Sequence, residues 1–180
     1  MSDEERLEEA PETAAERAAR RFADRTRTIA YLDVSEARGP VPLLAETGIA
    51  AILRSTRRIA LVGASSNESR PSFGVFRYLV DQGFDCVPVN PGEQAVLDVP
   101  AFRTLREAVD ATGPFDLVDV FRRSDLCEPH AREAVEVEAR CLWLQLGVVN
   151  WEAARIAHEA GLAVVMDRCT AIEHRRFRVR

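Results

Sequence analysis

The chain reads as an α/β protein built on a doubly wound parallel β-sheet of about five strands, with helices on both faces. Three observations predict this. Short, almost continuously apolar runs recur after Arg58 in the 180-residue chain, as strands covered on both faces require. Amphipathic segments separate those runs, with short connections between them. The leading run ends in a small-residue turn just before a helix, which is how a nucleotide-binding βαβ unit opens.

Residues 1–45 read as an acidic, Arg-rich extension and residues 46–180 as the folded domain. The first 25 residues are rich in Glu, Ala and Arg, and only Leu7 and Phe22 are large and apolar. Such a stretch has little to bury and is expected to be a solvated, partly helical or disordered segment. Thr28 to Val34 (T-I-A-Y-L-D-V) suggests a strand or a segment packed on the domain edge, and Arg38 to Pro42 a loop. Glu46 to Ser55 predicts a short helix with Ile49, Ile52 and Leu53 inward.

Ile59 to Val62 is the first strand, and it stops at Gly63, where the chain can turn without a Cβ penalty. Ser72 to Val80 predicts a helix with Phe73, Phe76, Leu79 and Val80 on one stripe. The second strand is Phe84 to Val89, closing on Asn90-Pro91-Gly92. A loop through Val96 to Phe102 leads to a helix over Thr104 to Ala111. The third strand, Leu117 to Phe121, is followed by a helix from Asp125 to Glu138. The fourth strand is Cys141 to Leu146. A helix from Trp151 to Ala160 ends at Gly161, and Ala163 to Met166 is the last strand.

Composition narrows the chemistry. An apolar content of 47% with 29% charge fits a soluble globular protein. No apolar run approaches the roughly 20 residues of a membrane helix. The N-terminus M-S-D-E-E-R-L-E-E lacks an apolar signal core, so a cytoplasmic location is expected. A net charge of −5 argues against a broad nucleic-acid surface. All 24 basic residues are Arg, which excludes a Schiff-base or Walker-type lysine. Anions must be met by guanidinium forks, hydroxyls and backbone N–H groups. Cys86, Cys127, Cys141 and Cys169 have neither C-x-x-C nor zinc spacing and read as reduced thiols.

In a doubly wound sheet, ligands bind outside the carboxyl ends of the strands. Those ends are G-A-S-S, N-P-G, F-R-R-S, Q-L-G-V and D-R-C, richer in small, polar and Arg residues than the strands themselves. The dinucleotide fingerprint G-x-G-x-x-G is absent, because the next glycine after Gly63 is Gly74. Asn90-Pro91 stands where an NAD domain usually places the ribose-binding acid. The loop between Gly63 and Gly74 carries Ser65, Ser66, Ser69, Arg70 and Ser72 and suits a bulkier polyanion, so NAD is disfavoured.

The ordered set I-A-L-V-G-A-S, R-P-S-F-G-V, V-P-V-N-P, D-L-V-D-V-F-R-R, L-W-L-Q-L-G-V-V-N and V-V-M-D-R-C resembles the small stand-alone CoA-binding domain proteins. Their Rossmann-like domain is similar to the N-terminal CoA-binding domain of the succinyl-CoA synthetase α subunit. The resemblance covers about Ile49 to Phe177. It implies coenzyme A as ligand, with Gly63, Ala64 and Ser65 on the phosphate side, Arg70 reaching the phosphates and Gly74 opening the helix. It implies Asn90 and Pro91 beside the adenosine and Phe121, Arg122 and Arg123 flanking the ligand. Gln145, Gly147 and Val148 would lie along the pantetheine arm and Cys169 near the thiol.

Plainer readings compete. Gly63 could serve only as a turn residue, and Asn90-Pro91 as an ordinary turn. One of Arg122 and Arg123 is expected to be solvated or ion-paired. Phe121 and Trp143 fit a core role on strand logic, whereas Gln145, if buried, must find a partner. Cys169 beside Arg168 is either a thiol of raised thiolate fraction, open to a mixed disulfide with CoA, or an inert cysteine. Cys86 and Cys141 belong to the core. His130, His158 and His174 are expected at the surface, and Asp116, Asp119 and Asp167 as strand-edge or loop-capping groups. There is no Ser-His-Asp order or metal cluster, and no room for the phosphohistidine domain of the synthetases. The expected function is a non-catalytic CoA-binding module for CoA, an acyl-CoA or CoA disulfide. The alternatives are an NAD(P) oxidoreductase or redox sensor, and a subunit of a split acyl-CoA synthetase with a separate ATP-grasp partner. Pairing of two copies through helix faces is left open.

Overall fold

The computed structural model describes residues 12–36 and 38–178; Leu7 lies outside them. The strands in chain order are β1 (Arg58–Val62), β2 (Asp85–Val89), β3 (Ala95–Val96), β4 (Val99–Pro100), β5 (Leu117–Val120), β6 (Cys141–Leu144) and β7 (Ala163–Val165). The helices are α1 (Ala14–Ser35), α2 (Glu46–Ser55), α3 (Pro71–Asp81), α4 (Leu105–Thr112), α5 (Cys127–Glu136), α6 (Trp151–Glu159) and α7 (Thr170–Arg176). Five strands form one parallel sheet in the order β2-β1-β5-β6-β7, a Rossmann-like doubly wound arrangement. Val62 closes β1 level with Val89 on one side and Val120 on the other.

Side chains alternate between two cores, as the two-residue period of a strand requires. Ala60, Val62, Val87, Val118, Val120, Leu142 and Leu144 pack against α4, α5 and α6. Ile59, Leu61, Cys86, Leu117 and Trp143 pack against α2, α3 and α7. Trp143 is fully buried and its indole Nε1–H donates to the Arg168 carbonyl at 2.6 Å. Full burial of each large apolar side chain contributes about 1.5–3 kcal/mol. Among the described residues, no helix is long and apolar enough to cross a membrane.

The N-terminal segment corrects one expectation. Thr28 to Val34 is the end of α1, a 22-residue helix, rather than a strand. Thr13 and Glu16 close its start with a reciprocal capping box. Ala30, Tyr31 and Val34 recur at helical spacing and pack on the domain, and that contact outweighs the strand preference of Thr28, Ile29 and Val34. The connection to α2 covers the sheet edge at β7, where the Leu44 N–H donates to the Val164 carbonyl at 2.9 Å. Its Gly39 is fixed by contact, since a Cβ there would stand 1.8 Å from the Trp151 ring.

Four further differences bear on the site. Val96 to Phe102 is not all loop. β3 and β4 form a minimal antiparallel hairpin with positive φ at Leu97 and Asp98, as a two-residue turn needs. Phe102 then bridges to Val89, extending the sheet beyond β2. On α3, Val80 is exposed while Ser72 and Val75 turn inward with Phe73, Phe76 and Leu79. The tail after Cys169 forms α7, and His174 on it is buried rather than exposed. His174 Nδ1 meets the Tyr78 hydroxyl at 2.9 Å, and burial lowers the ring's pKa. Asp119 is wholly buried in mid-strand and is no strand-edge group. Asp116 and Asp167 do cap backbone, accepting from the Arg57 N–H at 2.7 Å and the Gly147 N–H at 2.8 Å.

Candidate functional site

The strand order reverses between β1 and β5, and at that point the chain leaving each strand diverges to open a crevice. Gly63 turns out of β1 with φ +83°. Its N–H donates to the Val89 carbonyl, and the Phe121 N–H donates to the Val62 carbonyl, both at 2.8 Å. The ends of β2, β1 and β5 are thereby held level.

The loop beyond Gly63 is braced from β2. Asn90 Nδ2 donates to the Ala64 carbonyl at 2.7 Å, and its Oδ1 accepts from the Gly92 N–H at 3.0 Å. Within the loop, Asn67 Oδ1 accepts from the Ser69 N–H at 2.9 Å and from the Ser69 hydroxyl at 2.7 Å. The Arg70 N–H donates to the Asn67 carbonyl at 3.0 Å, leading into Pro71 at the first turn of α3. Glu93 reaches back across the loop, taking the Ser65 hydroxyl at 2.9 Å and the Ser66 N–H at 3.0 Å.

A cavity of 620 Å³ opens above these strand ends. Of the residues predicted for the site, Gly63, Ser65, Arg70, Ser72, Asn90, Phe121, Arg122, Arg123, Gln145, Val148 and Cys169 line it. Ala64 is buried beneath the loop, Ser66, Gly74 and Pro91 are exposed beside it, and Gly147 faces a neighbouring cleft with Arg27 and Tyr31. Pro71, Val75, Leu146 and Ile172 also line the cavity and were not anticipated. Val75 lies outside the stripe expected for α3, and Ile172 is a half-exposed residue of α7, a helix the sequence reading does not contain. Arg123 pairs with Asp125 at 3.1 Å; among the described residues Arg122 has no ion-pair partner. The wall therefore presents three arginines, with no carboxylate or histidine among its described residues.

Beneath the cavity lies a buried polar cluster. Gln145 Nε2 donates to Asp119 Oδ1 at 2.8 Å and Oδ2 at 2.9 Å, and lies 2.8 Å from Thr170 Oγ1. The Thr170 hydroxyl donates to Asp119 Oδ2 at 2.8 Å. Burial pushes the Asp119 carboxyl up to about 7, against these hydrogen bonds, which act to lower it. The cluster ties the interior of β5 and the residue after β6 to the start of α7, directly after Cys169. The period-2 pattern of D-L-V-D-V could have located Asp119, since it falls in step with inward-facing Leu117.

Cys169 is half-buried and lines the cavity. The other three thiols are buried. Burial raises the pKa of each, that of Cys127 to about 12. A second cavity of 620 Å³ lies by the sheet edge, walled by Val34, Trp151 and Arg168 among others. It touches the end of β7 alone, whereas the switch-point cavity gathers the ends of several strands.

Sheet order and cavity place the chain in the class of doubly wound α/β domains with a crevice at the switch point. A profile of the CoA binding domain family matches residues 57–175, and the chain belongs to that family. It is similar to the uncharacterized protein YneT of Bacillus subtilis (strain 168), 41% identical over 123 residues, covering 68% of this chain and 89% of the relative. A solved hypothetical protein from Pyrococcus horikoshii OT3 is 34% identical with a TM-score of 0.70, covering 74% of this chain and 92% of that one. The dinucleotide-forming acetyl-coenzyme A synthetase 1 of Ca. Korarchaeum cryptofilum shares the fold, at 18% identity and a TM-score of 0.55. That match covers 64% of this chain and 28% of the synthetase.

Proposed function

We propose that the chain binds coenzyme A, free, acylated or as a disulfide, in the switch-point cavity and acts as a cytoplasmic, non-catalytic CoA-binding module. The observation that carries this reading is the wall itself. Its lining divides by chemistry into cationic and hydroxyl groups, the three arginines (Arg70, Arg122 and Arg123) with Ser65 and Ser72, and apolar groups, among them Phe121, Val148 and Ile172. A polyanionic head with a long, largely apolar arm matches that division. Family membership supports the same ligand.

In this reading Gly63, Ser65 and Ser66 hold the pyrophosphate with Arg70, while Asn90 and Pro91 border the adenosine. Phe121 and Arg122 flank the middle of the ligand, Gln145 and Val148 follow the pantetheine arm, and Cys169 lies nearest the thiol. Calorimetric titration of the reduced, nucleotide-free chain with CoA tests it. Saturable binding that weakens on Arg70→Ala is expected; binding of NADH with no binding of CoA would overturn it.

A second reading rests on the fold shared with the acetyl-CoA synthetase, of which this chain spans about a quarter. Here the module is one subunit of a split acyl-CoA synthetase, and a separately encoded ATP-grasp partner should co-purify with it.

A further inference from the structure

The loop after β1 already holds an anion, and that anion is the protein's own. Glu93 Oε1 accepts the Ser65 hydroxyl at 2.9 Å and the Ser66 N–H at 3.0 Å. These are the donors that the reading above gives to the ligand's pyrophosphate. Ser65 Oγ in turn accepts from the Asn67 N–H at 3.2 Å, so the carboxylate completes a continuous chain through the loop. Glu93 forms no ion pair with any described residue, and its charge is met by the loop donors. Those hydrogen bonds, from Ser66 first and then Ser65, hold its carboxyl below the usual carboxylate range.

We propose that Glu93 is an internal counter-ligand, whose carboxylate occupies the anion position at Ser65 and Ser66 and opposes the ligand's phosphate there. This rests on the proposed CoA site. A single N–H directed at one oxygen cannot serve carboxylate and phosphate together, and two anions sharing the position repel. Binding therefore displaces the Glu93 carboxylate, while the turn that carries it stays closed by Asn90, which accepts from the Gly92 N–H through Oδ1 and from the Glu93 N–H through its carbonyl. The device sets affinity. A loop that would otherwise hold any phosphate retains only a ligand with enough further contacts, at Arg70 and along Phe121, to displace the carboxylate.

The test compares the wild-type chain with Glu93→Gln, which keeps an oxygen acceptor for Ser65 and Ser66 but removes the charge. Both are titrated by calorimetry with CoA and with inorganic pyrophosphate. Both ligands should bind the Gln variant about tenfold more tightly, the scale of one charge–charge contact that stays largely in water. Unchanged or weaker binding of both would overturn the proposal and make Glu93 a support for the loop. If neither protein bound CoA while pyrophosphate bound more tightly to the variant, the CoA reading would fall and the counter-ligand would stand. If neither ligand bound either protein, both would fall. A Glu93→Ala variant guards against a Gln side chain that holds the loop shut, and it too should bind pyrophosphate more tightly.

Discussion

A Cβ on Gly63 would stand 2.6 Å from the carbonyl oxygen of Phe121, so the loops leaving β1 and β5 touch backbone to backbone where the strand order reverses. The residue also holds φ +83°, a conformation that costs a non-glycine residue about 1–3 kcal/mol. Both features come from one requirement: the first turn must clear the neighbouring strand end and still present its loop to the crevice. Gly63→Ala should lower stability by about 2 kcal/mol in urea unfolding, with an unchanged m-value, and should weaken CoA binding. A variant as stable as wild type would show that the close approach relaxes freely.

Asn90 and Pro91 are adjacent in sequence but do different work. Asn90 braces the loop at Ala64 and closes its own turn at Gly92, whereas Pro91 is exposed off the cavity wall. Asn90→Ala removes both contacts and is expected to cost about 1–3 kcal/mol of stability together with a loss of ligand affinity. Pro91→Ala should leave stability within about 0.5 kcal/mol of wild type. Equal effects from the two substitutions would contradict this division.

The Asp119 cluster makes stability pH-dependent. Burial raises the carboxyl to about 7 in the folded chain, against an unperturbed value of about 3.9. Between those values the folded chain keeps a proton that the unfolded chain releases. The contribution is therefore complete below about pH 4 and is lost as pH rises towards 7. Asp119→Asn cannot ionise, so the stability advantage of wild type over the variant should shrink across that interval. Urea unfolding at stepped pH measures it, and a difference that stays constant with pH would place the ionisation elsewhere.

Thiol accessibility gives a further check. Cys86, Cys127 and Cys141 are buried with raised pKa values, while Cys169 is half-buried at the cavity. A disulfide reagent should modify one thiol per folded chain rapidly and the remaining three only on unfolding. CoA should protect Cys169. Fast reaction of two or more thiols in the native chain would contradict the packing.

Much of this was legible in the sequence because buried parallel strands are short apolar runs and their ends are where the side chains change character. Ile59 to Val62 can be placed on that basis alone, and Gln145 marked as a polar residue in need of a partner; Asn90 and Phe121 reach the site only through the family resemblance, since strand logic by itself gives an ordinary turn and a core side chain. The inward partner that a buried Gln145 demanded proved to be Asp119, which the run D-L-V-D-V presents as an ordinary acid. α1 was not legible from Thr28 onward, because its β-branched residues favour a strand and only docking of Tyr31 and Val34 decides for helix. α7 begins without a side-chain cap, so no local signal marks its start or shows that His174 packs inward. Glu93 meets Ser65 across 28 residues; no local pattern specifies that contact.

The most direct test is a crystal structure of the chain grown with CoA. One CoA per chain is expected at the switch point, with its pyrophosphate at Ser65, Ser66 and Arg70 and its pantetheine arm passing Phe121 and Val148 toward Cys169. CoA bound instead in the edge cavity beside Trp151 and Arg168, or no CoA at all under saturating conditions, would contradict it.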